Sequence, residues 1–126
     1  MSEAVEFLTF EDVVRIAQGV LPEVAIRDAG LIESAVARPQ TSVFGDLAYP
    51  TLWQQAAALL HSLVRNHPLV DGNKRLAWSS ARVFLLMNSV DLEYDINDAE
   101  ELVLSAARGE IDVESIAQSL ASWLAH

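Results

Sequence analysis

The sequence predicts an all-α fold: a single domain, residues 1–126, of about six helices around a central buried helix, with a short non-helical flap near residues 41–50. Three observations carry this. Apolar residues recur at spacings of three and four along most of the chain. Capping residues precede those runs, and Gly or Pro follows them. The length of 126 residues, 52% of them hydrophobic, suits one core and leaves no linker to divide two.

Phe10, Val13, Val14, Ala17 and Leu21 form the first helical stripe. Thr9 and Asp12 have the spacing of a capping box, so the helix runs from about 10 to 20 and closes near Gly19 and Pro22. Leu31, Ile32, Ala35 and Val36 make a short second helix, which Pro39 should stop because the residue before a proline avoids helical geometry. Residues 40–50 lose the helical period around Gly45-Asp46 and read as a loop or short hairpin. Thr51 caps a strong helix carrying Leu52, Ala56, Leu59, Leu60, Leu63 and Val64, which ends near Asn66 ahead of Pro68. Residues 73–88 are apolar almost all round, the pattern of the central, buried helix. Asn97 caps a fifth helix ending at Arg108-Gly109, and Asp112 caps a sixth.

Composition narrows function. There is no cysteine, which excludes a disulfide scaffold, a cysteine-ligated metal and a thiol nucleophile. Eighteen acids against eight bases give a formal charge of -10, which opposes direct nucleic-acid binding. The acidic start, Met1 to Glu6, lacks the apolar run of a signal peptide, and no stretch is long enough to span a membrane; a cytoplasmic location is expected.

The only lysine, Lys74, lies in the most unusual stretch: His67-Pro68-Leu69-Val70-Asp71-Gly72-Asn73-Lys74-Arg75. A loop running into a helix N-terminus presents free N–H groups and a positive dipole end, an anion site. Lys74 and Arg75 oppose that dipole, so their placement points to a bound anion, most simply a phosphate. His67 can accept a proton near neutral pH. Asp71 beside a phosphate can hold magnesium. Singly, each has a plainer reading: a capping His, an Asp-Gly turn, an N-capping Asn73, solvated cations. Together they are the working parts of phosphoryl or nucleotidyl transfer.

This stretch resembles the His-x-Phe-x-Asp/Glu-x-Asn-x-Arg motif of the Fic/Doc family, and more narrowly its Doc branch, which carries Asn-Lys-Arg where the AMP-transferring members carry Asn-Gly-Arg. Gly30 to Gln40, and Tyr49-Pro50-Thr51-Leu52 with the Ala-rich run after it, extend the resemblance over most of the chain. It implies an all-helical toxin of a toxin–antitoxin pair, neutralised by a helical C-terminal segment of a cognate antitoxin lying in a groove. It also implies transfer of the γ-phosphate of ATP to a hydroxyl of a protein target, elongation factor Tu, which blocks translation. By resemblance His67 is the general base, Asp71 holds Mg2+, and Gly72, Asn73, Lys74 and Arg75 embrace the nucleotide phosphates.

Leu69 replaces the usual Phe, a change between apolar anchors. Trp78 stands where AMP-transferring relatives carry a second Arg. The alternatives are AMP transfer to a protein hydroxyl and a non-catalytic binding module; Lys74 and Trp78 count against the first, the retained base against the second. Ser89 and Glu93 have the spacing of an inhibitory Ser-x-x-x-Glu helix but fall in a short link, a coincidence. His61 reads as a helix-surface or core-edge group, and the tryptophans as core or groove.

Overall fold

The computed structural model describes residues 4–126; the first part of the acidic start lies outside them. Six helices run in chain order: α1 (Phe10–Val20), α2 (Ala29–Ala37), α3 (Leu52–Asn66), α4 (Asn73–Met87), α5 (Ile96–Ala107) and α6 (Val113–Ser122). A two-stranded antiparallel hairpin, β1 (Ser42–Val43) and β2 (Asp46–Leu47), stands between α2 and α3. No helix among the described residues is long and apolar enough to cross a membrane.

The caps explain most of the boundaries. Thr9 and Asp12 form a reciprocal capping box on α1, and Thr51 and Gln54 form another on α3. Asp112 caps α6 by accepting the Ser115 N–H. The cap of α5 is Asp95, not Asn97: its carboxylate accepts the Asn97 N–H, and the helix begins one residue ahead of the expected cap. Pro39 ends α2 as expected, at Ala37, but Arg38 before it keeps helical backbone. After α2 the chain tightens into a 3-10 turn, Arg38–Gln40, with Pro39 buried near its start, where the missing N–H costs nothing.

The buried centre is α3 rather than α4. Every residue from Gln55 to Leu60 and from Ser62 to Val64 is buried, and α2, α4, α5 and α6 all pack against it. Ala56, Ala57 and Ala58 let neighbours approach its backbone closely. By contrast α4 leaves Lys74, Arg75, Val83 and Leu86 exposed and buries the side carrying Leu76, Ala77, Ser80, Ala81, Phe84 and Leu85. Its even apolar content hid a solvent face.

The expected flap is the hairpin. Ser42 pairs with Leu47 and Val43 with Asp46. Phe44 and Gly45 both take positive φ, 53° and 84°, as a two-residue primed turn requires. Phe44 at the tip is fully exposed, an uncommon setting for an aromatic residue in left-handed backbone.

Candidate active site

The motif loop joins the two helices that pack most extensively on one another, α3 and α4. His67 is the C-cap of α3 in left-handed backbone, φ 51° and ψ 62°, with its side chain exposed. Pro68 follows and cannot continue the helix. The chain then turns inward at Leu69, which is 1% exposed and fills the anchor position expected of it.

Asn73 holds this turn closed. It is the first residue of α4, not its cap, and its side chain points back into the loop. Its amide oxygen accepts the Leu69 N–H at 2.9 Å, and its amide nitrogen donates to the Leu69 carbonyl at 2.9 Å. Both groups of a buried backbone unit are thereby satisfied. Asn73 therefore braces the loop, which leaves its second amide N–H and its backbone N–H for a ligand.

Gly72 caps α4 with φ 88° and makes no side-chain cap bond. A Cβ here would lie 2.6 Å from Leu21 Cδ2. The first-turn N–H groups of α4 have no capping side chain and lie at the positive end of the helix dipole. Lys74 is exposed, and neither Lys74 nor Arg75 forms an ion pair among the described residues. Arg75 donates instead to the carbonyl of Val20, the last residue of α1, at 3.2 Å. In a chain of formal charge -10, two cations without acidic partners among the described residues at a helix N-terminus would suit an anion.

Asp71 is exposed, with one carboxylate oxygen accepting the Gly72 N–H at 2.8 Å. The other oxygen is open to solvent-borne ligands. No group of three or more His, Asp or Glu side chains is assembled for a metal among the described residues. A single carboxylate fits magnesium, which keeps several waters and takes its remaining ligands from substrate phosphates.

One residue of this site is invisible to the sequence reading. Arg27, in the link between α1 and α2, donates from Nε to the His67 carbonyl at 2.7 Å and from Nη2 to the Asn66 carbonyl at 2.8 Å. The neighbouring backbone joins in: the Arg27 and Asp28 N–H groups donate to the Pro68 carbonyl, and Val70 N–H donates to Ala25. Isolated bridge pairing of Ile26 with Leu69 completes the brace. Capping of this kind acts across space, so no local pattern announces it.

Two further readings hold. Trp78 packs edge-to-face against Tyr94 and Trp123, with ring centroids 5.0 and 6.2 Å away. Ser89 and Glu93 lie in non-helical chain.

Comparison with known proteins gives this geometry its relatives. The model of the Fic/DOC family matches residues 7–85, from α1 through most of α4 and including the whole motif loop. The chain belongs to the Fic/DOC family. It is 50% identical over 95% of its length to "Toxin Doc" of Mycolicibacterium smegmatis, 95% of which is covered. It is 33% identical over 91% of its length to "Protein kinase doc" of Escherichia phage P1, 88% of which is covered. The expected all-helical Fic/DOC fold is what the structure shows, and the family's motif residues fall together on the loop between α3 and α4 and the first turn of α4.

Proposed function

We propose that this chain is the toxin of a toxin–antitoxin pair and that it transfers the γ-phosphate of ATP to a hydroxyl of a protein target. The observation that carries the reading is the motif loop: an exposed His67 on braced backbone, Asp71, and unpaired Lys74 and Arg75 at the uncapped end of α4. The names of the two relatives, one a toxin and one a protein kinase, support it.

His67 takes the proton of the target hydroxyl as that oxygen attacks the γ-phosphorus, whose bond to the β,γ-bridging oxygen breaks to release ADP. The first-turn N–H groups of α4 with Lys74 and Arg75 receive the phosphate charge, so catalysis is largely positioning and electrostatic stabilisation. Magnesium held by Asp71 would neutralise phosphate charge when bound. Lys74 fills space that a glycine would leave open to the α-phosphate, and Trp78 is committed to an aromatic cluster. Both favour γ-phosphate over AMP transfer. Elongation factor Tu is the proposed target, and a helical antitoxin segment the proposed partner.

Expression of the chain alone should arrest growth, and His67→Ala should not. Full toxicity of that variant would remove His67 from the mechanism.

A further inference from the structure

Arg38 is a partly buried cation with no carboxylate partner among the described residues. It also precedes a proline yet keeps helical backbone, φ -55° and ψ -47°. Its guanidinium explains why it stays there. Nε donates to the Tyr49 hydroxyl at 2.9 Å, and the guanidinium carbon lies 5.5 Å from the Tyr49 ring centroid. Nη1 lies 2.9 Å from His61 Nδ1, donates to Ser62 Oγ at 3.0 Å and approaches the Ala58 carbonyl at 3.5 Å. Every acceptor is neutral. One side chain therefore ties the exit of the hairpin, at Tyr49, to the middle of α3.

The tie sits beside the proposed active site. Arg38 and Ser62 line an open cleft together with Thr41, where the hairpin begins, and Asn66, which precedes His67. The hairpin is closed by the Ala48 N–H donating to the Thr41 carbonyl. Its base is also held by the Thr41 N–H donating to the Arg38 carbonyl at 3.1 Å and by Gln55 Nε2 donating to the Tyr49 carbonyl at 3.0 Å.

We propose that Arg38 is a positioning residue that fastens the hairpin to α3, and that a proton on His61 releases the fastening. A guanidinium only donates, so His61 must offer a bare Nδ1 lone pair and carry its hydrogen on Nε2. A proton at Nδ1 sets N–H against N–H at 2.9 Å and places two cations in contact. The groups around His61 hold it neutral. Its pKa is lowered from the ordinary 6.5 by burial, then by Arg38 and by Arg65 one turn along α3; Asp112 at the cap of α6 opposes them. Glu110 shares the cavity between α3 and α6. On protonation Arg38 swings away and Tyr49 loses its hydroxyl partner, while the Gln55 bond retains the Tyr49 backbone. The loosening is thus confined to residues 41–48.

The fastening is a property of the fold, while its consequence for presenting a target hydroxyl to His67 rests on the proposed function. Amide hydrogen exchange of the hairpin on the full chain, corrected for intrinsic rates, tests it with neither ATP nor target. Tyr49→Phe and Arg38→Lys should raise hairpin exchange several-fold at neutral pH and leave α4 and α5 protected. As the pH falls below the ordinary 6.5 the wild-type hairpin should loosen, and His61→Gln, which keeps an acceptor but does not titrate, should stay flat. Wild-type protection in Tyr49→Phe, or an acid profile shared by wild type and His61→Gln, overturns the proposal. Those two variants decide it even if Arg38→Lys does not fold.

Discussion

The Arg27 guanidinium closes on His67 from outside the motif: its Nε donates to the His67 carbonyl at 2.7 Å. The proposed base owes its position to a residue 40 places earlier in the chain. The carbonyls at a helix C-terminus lack intrahelical partners. A planar fork with fixed donors fits two of them at once, which an ammonium cannot do.

Arg27→Ala should therefore cost at most about 1.5–3 kcal/mol, the range for hydrogen bonds to charged groups, since these bonds are exposed. Transfer activity should fall further than stability accounts for, with kcat affected more than KM. Arg27→Lys should recover stability in part and kcat less. Urea unfolding and steady-state kinetics on the same variants check this.

Asn73→Ala strands the Leu69 N–H and carbonyl in a buried turn. Each orphaned group costs about 1–3 kcal/mol, so loss of a large part of the folding free energy is expected. Asn73→Asp keeps the acceptor but sets a carboxylate against the Leu69 carbonyl, and should also destabilise. Thermal unfolding midpoints of both variants below that of wild type are the expected result.

Gly72→Ala meets two obstacles, the positive φ of 88° and the Leu21 methyl 2.6 Å from the new Cβ. The backbone share is roughly 1–2 kcal/mol. The contact share is smaller, because the tip of a leucine can turn aside. Adding Leu21→Ala should relieve the contact and leave the backbone strain, so a denaturant double-mutant cycle should show partial coupling.

His61 gives stability a pH dependence whose sign is fixed. Its folded pKa lies below the ordinary 6.5, so the unfolded chain takes up the proton first. Its contribution is complete above 6.5 and declines as the pH falls below that value. Asp112, its carboxylate favoured by the Ser115 N–H, adds a loss that begins near its ordinary 3.8. Urea midpoints across this range should fall in two stages for wild type. His61→Gln should remove the first stage and keep the second.

Much of this architecture was legible locally. Thr9, Thr51 and Asp112 cap their helices through neighbours in sequence, which is why those boundaries could be read. The motif residues fall on one loop and the helical turn after it because they are consecutive, and Leu69 buries as its apolar character requires. What escaped depends on contacts across the chain. The central helix is α3, whose three consecutive alanines matter only once neighbours press on them. Pro39 is absorbed into a 3-10 turn because Arg38 is held by Tyr49, His61 and Ser62, all from later elements. Asn73 looks like a cap in sequence, and only its two bonds to Leu69 show that it also braces the loop. Arg27 left no trace, since nothing in its own segment marks it as the cap of α3.

The central claim is that the motif loop moves the terminal phosphate of ATP onto a protein hydroxyl with His67 as base. The most direct measurement incubates wild type and His67→Ala with elongation factor Tu and ATP labelled at either the γ- or the α-position. Wild type should transfer γ-label alone, and His67→Ala should be slower by about 10²–10⁴, the usual cost of losing a general base. Mass spectrometry should find a phosphate on a target hydroxyl. Transfer of α-label, with AMP on the target, would contradict the account, as would γ-label transferred equally well without His67.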